Sequence, residues 1–280
     1  MKFWKMHGLG NDFIVIDNRK LQISSAEAAE LAQKLCERRF SVGADGLLLV
    51  EASAVADVKM RIFNADGSEA EMCGNGIRCF AKYCYENNIA RKKKLTVETL
   101  ADIKHTWLTV KGSTVTAVKV DMGAPTLERS KLPMVGTGTC VNEDLQVNGE
   151  HYRATCLSVG NPHCVIFVDS VDDFPVEQIG SKIESHKFFP KRTNVEFAQV
   201  LNRKAVKVRV WERGCGETLA CGTGACATVA AGNILGKVSN KVTVHLVGGD
   251  LEVEYAERLF LSGPAEKVLE GKLFEDVKSL

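Results

Sequence analysis

The chain has 280 residues, 45% of them hydrophobic, which suits two domains with a core each. Its 36 basic and 35 acidic residues give a net charge of +1, which argues against nucleic acid or a membrane surface as the main partner. No apolar run is long enough to span a bilayer, and the mixed N-terminal residues do not resemble a signal peptide, so we expect a cytoplasmic protein.

The first half of the chain is predicted to consist of short strands, turns and helices. A helix is expected from Ser24 to about Arg38, because two serines precede Ala26 and Glu27 at its start. Residues 64–67 (NADG) have the composition of a turn. Strands are predicted at 3–6, 13–17, 47–50, 58–63, 95–99, 107–110 and 114–120.

A break in the pattern at 122–125 (MGAP) is the predicted domain boundary. It gives an N-terminal half of residues 1–122 and a C-terminal half of residues 123–267. Residues up to about 138 lack clear periodicity and are expected to form a linker. In the second half, strands are predicted at 152–158, 192–196, 206–211, 241–247 and 251–255, with a helix near 176–180.

Each half contains a cysteine followed by Gly-x-Gly and a helical pattern, at 71–83 (EMCGNGIRCFAKY) and 219–235 (LACGTGACATVAAGNIL). We interpret Cys73 and Cys221 as cysteines on turns at the N-termini of helices. The helix dipole at such a position can lower a thiol pKa, and the glycines let backbone amides approach a ligand. The alternative is a pair of buried structural cysteines, because free cysteine is often buried.

The two stretches are in register with each other. The same interval of 148 residues separates Cys73 from Cys221, and it recurs between the residues of two further pairs, Glu69 and Glu217, and Arg61 and Arg209. A period this long indicates a duplicated domain. The predicted fold class is therefore α/β (α+β), with two pseudo-symmetric domains, each a curved mixed β-sheet wrapped around a central apolar helix.

Ten cysteines are many for a protein of a reducing compartment, where structural disulfides are rare. A zinc site is the obvious rival interpretation, but the chain has no Cys-x-x-Cys pair and no His-x3–5-His pair. We therefore predict no metal, although a metal- or redox-sensing protein that uses its cysteines as ligands or switches stays an alternative.

Two cysteines on opposite faces of one carbon can exchange a proton through it, one as thiolate and the other as thiol, and so invert a stereocentre. Negative charge develops beside a substrate carboxylate in such a reaction. Backbone N–H groups at helix N-termini can stabilise that charge. The donors expected here are the amides of Gly74, Asn75, Gly222 and Thr223.

Seven motifs, in order along nearly the whole chain, resemble the diaminopimelate epimerase family. They are 7–13 (HGLGNDF), 63–67 (FNADG), 72–78 (MCGNGIR), 160–163 (GNPH), 193–196 (TNVE), 211–214 (WERG) and 220–224 (ACGTG). The resemblance implies a cofactor-independent homodimer that interconverts LL- and meso-diaminopimelate in lysine and peptidoglycan precursor biosynthesis. Proline racemase is similar in fold and in its paired cysteines, but the 194 and 212–213 motifs do not resemble it.

The resemblance also implies a role for each matching residue. Cys73 and Cys221 are the acid/base residues, and His163 and Glu212 tune their pKa values. The substrate-binding set is Asn11, Asn64, Gly74, Asn75, Asn161, Asn194, Glu212, Arg213, Gly222 and Thr223. A carboxylate-binding role for Arg213 is also supported without the resemblance, because a planar guanidinium suits a carboxylate.

Without the motifs, the same residues have simpler interpretations. Asn11, Asn64 and Asn161 read as turn residues beside glycine, and His163 as a core histidine. Two positions depart from the family pattern. Gly46 replaces a substrate-contacting amide of some members, and Asp102 stands where the family often has glycine. The family pattern also returns residues 268–280 to the first half.

Overall fold

The computed structural model describes residues 1–274. They divide into two compact units, one of Met1–Val120 with the segment from Gly263 onward, and one of Asp121–Ser262. Of the segment 268–280 that was expected to return to the first half, residues 275–280 lie outside the described residues.

In chain order, the first unit consists of strands with two α-helices between them. Helix α1 begins with a capping box, in which Ser24 Oγ accepts from the Glu27 amide and the Glu27 side chain accepts from the Ser24 amide. The elements are β1 (Lys2–Gly8), β2 (Asn11–Asp17), α1 (Ser25–Cys36), β3 (Gly46–Glu51), β4 (Val58–Asn64), β5 (Glu69–Ala70), α2 (Gly74–Glu86), β6 (Lys94–Glu98), β7 (Ile103–Lys111), β8 (Thr114–Gly123, which runs into the second unit) and β18 (Glu266–Lys272).

The second unit repeats the order of strands and helices around the cysteine stretch. Its elements are β9 (Cys140–Val147), β10 (Glu150–Ser158), β11 (Pro162–Phe167), α3 (Val176–Glu184), β12 (Asn194–Asn202), β13 (Ala205–Glu212), β14 (Gly216–Thr218), α4 (Gly222–Ile234), β15 (Lys241–Leu246), β16 (Gly249–Tyr255) and β17 (Leu259–Gly263). In both units the pairing is mixed. β2 and β3 are parallel and β3 and β4 antiparallel, and the same holds for β11, β12 and β13.

Each unit has its cysteine-led helix, α2 or α4, packed on several strands of its sheet. All residues of α2 from Gly74 to Tyr85 are buried, and α4 is buried from Gly224 to Gly232. The predicted mixed-sheet fold is confirmed. However, α2 is less apolar than expected, because it buries Arg78 and Lys82, whose charged groups donate to backbone carbonyls, including those of Gly74 and Val115.

The segment up to residue 138 is not the linker that its sequence suggested. It contains a short 3-10 helix, Arg129–Lys131, and Leu132 and Met134 enter the hydrophobic core of the second unit. The buried Arg129 side chain donates to the carbonyls of Val135 and Thr139. Side-chain hydrogen bonds of this kind order irregular backbone that has no hydrophobic periodicity, so the sequence pattern alone did not reveal it. Within residues 1–274, no helix is long and apolar enough to cross a membrane.

Candidate functional site

Both predicted cysteines precede a helix as its N-cap residue. Cys73 Sγ accepts a hydrogen bond from the Gly76 amide at 3.4 Å, and Cys221 Sγ accepts one from the Gly224 amide at 3.3 Å. The first amides of an α-helix have no intrahelical acceptor, so the first turns of α2 and α4 present donors beside each sulfur. These turns contain the four predicted amides, those of Gly74, Asn75, Gly222 and Thr223.

In the first unit, Cys73 is half-buried and lies against two asparagines. Its Sγ donates to Asn11 Oδ1 at 3.6 Å, and Asn75 Nδ2 donates to the same oxygen at 3.2 Å. Asn11 Nδ2 in turn donates to Asp45 Oδ2 at 2.8 Å. Asp45 therefore fixes which end of the Asn11 carboxamide faces the cysteine. The sequence analysis did not single out Asp45, because an exposed aspartate in a turn has no distinctive pattern.

In the second unit, Cys221 is buried beside carboxylates. Burial, Glu212 and Glu196 together hold the pKa of the Cys221 thiol well above its ordinary value. Burial also raises the pKa of Glu212, whose Oε1 accepts from Thr218 Oγ1 at 2.5 Å. The sequence-based expectation that the helix dipole would lower this thiol pKa is therefore wrong for Cys221. Desolvation and two nearby negative groups outweigh the half-charge of a helix N-terminus.

His163 and Glu196 form a fully buried pair behind this cysteine. His163 Nδ1 lies 2.7 Å from Glu196 Oε1, and His163 Nε2 lies 2.9 Å from Asn161 Oδ1. Glu196 was part of the 193–196 motif, but it was not predicted as a site residue. Strand alternation was the available signal, since Glu196 shares a face of β12 with the predicted Asn194.

The sheet registers show that the surroundings of Cys73 and Cys221 are chemically unequal. Phe13 pairs with Gly46 in the first unit as His163 pairs with Asn194 in the second. Gly46 and Asn194 are therefore equivalent positions in the two units. Two residues further along each strand, Leu48 is equivalent to Glu196. The repeat thus places apolar groups behind one cysteine and a histidine–carboxylate pair behind the other.

The remaining predicted residues lie at strand ends of their own unit. Asn64 ends β4 and donates to Ser68 Oγ at 2.9 Å. Asn194 is buried at the start of β12. Its Nδ2 donates to the Pro162 carbonyl at 2.8 Å, and its Oδ1 accepts from the Arg213 amide at 2.9 Å. The Arg213 side chain is exposed and donates to the Lys191 carbonyl, and no carboxylate pairs with it in the described part of the chain.

The two departures from the family pattern are accommodated locally. A β-carbon built on Gly46 would lie 2.8 Å from the Phe63 carbonyl oxygen, so this backbone has no space for a side chain there. At Asp102 the turn still closes, because the Thr99 amide donates to the Asp102 carbonyl at 3.0 Å.

The glycines at the third helical position offer a matched stability prediction. A β-carbon on Gly224 would lie 2.7 Å from Glu196 Oε1, whereas one on Gly76 would meet neighbours only at 3.4–3.5 Å. We expect Gly224→Ala to lower the free energy of unfolding by about 1–3 kcal/mol through overpacking. Gly76→Ala should be neutral or stabilising, because alanine favours a helix. Denaturant unfolding measures both, and equal effects would contradict the close approach of Glu196 to α4.

Glu212 offers a prediction about thiol reactivity. Because its carboxylate raises the pKa of Cys221, Glu212→Gln should lower that pKa and increase the thiolate fraction at a fixed pH. We expect faster alkylation of Cys221 by iodoacetamide at neutral pH, with Cys73 unchanged as the internal control. Peptide mass spectrometry measures both rates. Slower alkylation of Cys221 in the variant would show that the carboxylate does not act in this direction.

No group of three or more histidine, cysteine, aspartate or glutamate side chains within residues 1–274 is arranged to hold a metal ion.

Comparison with known proteins identifies relatives over nearly the full length. The diaminopimelate epimerase family model matches residues 3–128 and 155–268. A diaminopimelate epimerase of Moorella thermoacetica is 54% identical over 275 residues, covering 97% of this chain and 98% of that protein. One of Heliobacterium modesticaldum is 50% identical over 279 residues, covering 98% and 99%. These matches confirm the resemblance noted in the sequence.

Solved structures with low sequence identity share the fold. A PhzF-family phenazine biosynthesis protein of Bacillus anthracis has a TM-score of 0.72 at 18% identity, covering 98% of this chain and 99% of that chain. A probable proline racemase of Agrobacterium radiobacter has a TM-score of 0.71 at 12% identity, covering 97% and 92%. At such identities the likeness concerns the fold alone.

Proposed function

The chain belongs to the diaminopimelate epimerase family, and from this premise we propose that Cys73 and Cys221 are the two acid/base groups of an epimerase acting on diaminopimelate. The observation that carries the proposal is the repeated N-cap cysteine. Each unit supplies one sulfur at the N-terminus of a buried helix. A thiol suits this role, because its pKa can be tuned towards the operating pH.

The unequal surroundings of the two sulfurs assign their starting states. Burial and two carboxylates keep Cys221 protonated, so it begins as the acid. Cys73 is the base in that direction, once its thiol has lost the proton that it donates to Asn11 Oδ1 in the free protein. Its thiolate removes the proton from Cα, and the Cys221 thiol delivers a proton to the opposite face. The product leaves with inverted configuration at Cα, and the enzyme is left with Cys73 protonated and Cys221 ionised. The reverse reaction starts from that form of the enzyme.

The carboxylate on the reacting carbon needs donors, because negative charge builds beside it. We assign this role to the amides of Gly74 and Asn75 in α2 and of Gly222 and Thr223 in α4. Such fixed donors in a site with little water contribute roughly 10²–10³ in rate each. His163 and Glu212 act on the cysteine pKa, and Glu212 also belongs to the substrate-binding set.

The second carboxylate of diaminopimelate distinguishes it from simple amino acids. We assign Arg213 as the positive charge that pairs with this second carboxylate. Asn64 and Asn194 bind the same carboxylate, and Asn11 and Asn161 lie nearby. Asn194 supports this assignment, because it holds the Arg213 backbone through an amide hydrogen bond of 2.9 Å.

Family membership also supports three broader proposals: conversion between the LL and meso isomers, a homodimer, and a cytoplasmic place in lysine and peptidoglycan precursor biosynthesis. Sedimentation of the purified chain tests the dimer directly.

The epimerase assignment is tested by incubating the protein with LL-diaminopimelate in heavy water. We expect meso-diaminopimelate to form with solvent deuterium at the inverted Cα, because the proton delivered comes from a thiol that exchanges with solvent. Mass spectrometry and chiral chromatography follow the product, and a chelator-treated sample should react at the same rate. Formation of the meso isomer without isotope uptake over many turnovers would contradict the two-base mechanism.

A further inference from the structure

Glu196 is a buried carboxylate that the proposed function uses only for its negative charge beside Cys221. It lies in β12 with no exposed surface, and its Oε1 is 2.7 Å from His163 Nδ1. Its Oε2 has no hydrogen-bond partner among residues 1–274. An ionised carboxylate is costly to bury unless a cation or strong donors compensate it. Among residues 1–274, His163 is the hydrogen-bond partner placed to do so at Glu196 Oε1.

The His163 ring connects Glu196 to a predicted substrate-binding residue. With Glu196 ionised, its oxygens only accept hydrogen bonds, and His163 Nδ1 then carries the proton between the two groups. The other nitrogen, Nε2, lies 2.9 Å from Asn161 Oδ1. If Nε2 also carries a proton, it donates to Oδ1, and the NH2 group of Asn161 is left to bind elsewhere. If Nε2 is unprotonated, it accepts a hydrogen bond from the NH2 group of Asn161, and Asn161 Oδ1 then faces away from the histidine.

We propose that Glu196 is a positioning residue that keeps both nitrogens of His163 protonated and so presents the NH2 group of Asn161 to an anionic substrate. This rests on the proposed function, in which Asn161 lies near a substrate carboxylate. That carboxylate can only accept, so it needs the NH2 group, whereas an outward Oδ1 would repel it. The ring bears a positive charge that Glu196 balances.

The first unit supplies an internal comparison. There Asn11 is oriented the other way, with its NH2 group on Asp45 and its Oδ1 towards Cys73. No histidine is needed, and the positions of His163 and Glu196 are taken by Phe13 and Leu48. Among residues 1–274, Glu212 in β13 interacts with the histidine, and Cys221 at the start of α4 interacts with Glu196.

The test uses Glu196→Gln, which keeps the shape and an acceptor oxygen but removes the charge. At about pH 8 we expect its KM for diaminopimelate to rise about 10-fold over wild type, because a hydrogen bond to a charged group is lost. At about pH 5.5 the KM of the variant should lie closer to the wild-type value, because protonation of the ring restores the Nε2 donor. The control is Asp121→Asn, another buried carboxylate of the second unit, paired with Arg258 at 3.0 Å, which should leave KM unchanged at both pH values.

A second measurement needs neither a variant nor substrate. In wild-type protein with ¹⁵N-labelled histidine, both ring nitrogens of His163 should show attached protons at about pH 8. A ring with one unprotonated nitrogen would overturn the proposal, and so would a KM for Glu196→Gln that equals wild type or rises equally at both pH values. If the wild type proved inactive on diaminopimelate, the proposed function would fail while the labelled spectrum still judged the state of the ring.

Discussion

Cys73→Ala and Cys221→Ala should each lower kcat for epimerisation by about 10³-fold or more. General acid–base catalysis by one positioned group contributes roughly 10²–10⁴ in rate, and inversion needs both groups in every turnover. In the proposed mechanism neither sulfur can replace the other, because each is assigned to one face of Cα. The measurement is a steady-state assay in both directions with diaminopimelate isomers.

The matched controls lie within the same two helices. Cys79 and Cys226 are fully buried in α2 and α4 and should be structural. Cys79→Ala and Cys226→Ala remove a small buried side chain, so they should lower the free energy of unfolding while kcat changes little. Thermal unfolding should show Cys73→Ala and Cys221→Ala folded. Near-normal turnover in either of these two would refute the assignment of two bases.

Arg213→Ala should raise KM for diaminopimelate by about 10²-fold, with a smaller change in kcat. An arginine that pairs with a carboxylate contributes about 1.5–3 kcal/mol, and loss of binding that is equal in ground and transition states appears in KM. The guanidinium is available for this role. It is exposed, and its contact within residues 1–274 is one bond of 3.3 Å to the Lys191 carbonyl.

Two further variants separate shape from charge at this position. Arg213→Lys keeps the charge but loses the planar fork, so its KM should lie between those of wild type and alanine. Arg203→Ala is the control, because Arg203 is also exposed and donates to a single carbonyl, that of Gly236, at 3.2 Å. Its KM should match wild type. An Arg213→Ala enzyme that binds substrate normally would remove Arg213 from the site.

Sequence reasoning found the local features that depend on short patterns. The Ser24 cap, the turn that Asn64 begins and the two N-cap cysteines each follow from a few adjacent residues. It failed where the outcome depends on distant partners. The segment around Arg129 is ordered because the Arg129 side chain donates hydrogen bonds to backbone carbonyls of that segment. The pKa of Cys221 is raised by burial and by carboxylates on other strands.

The different residues behind the two cysteines, Leu48 and Glu196, were not predicted from the sequence either. The constant interval between Cys73 and Cys221 indicated only a duplicated domain. The strand registers then showed which residues correspond, and Leu48 and Glu196 occupy matching places with opposite chemistry. Register depends on pairing across the sheet, so a single sequence does not determine it.

The N-cap geometry ties the reactivity of each sulfur to the integrity of its helix. Cys73 Sγ and Cys221 Sγ close the first turns of α2 and α4 by accepting amide hydrogen bonds. An N-cap contributes about 0.5–2 kcal/mol, and an ionised acceptor strengthens it. In the proposed mechanism, a reagent that blocks either sulfur covalently therefore inactivates the enzyme and also removes the hydrogen bond that holds the start of that helix.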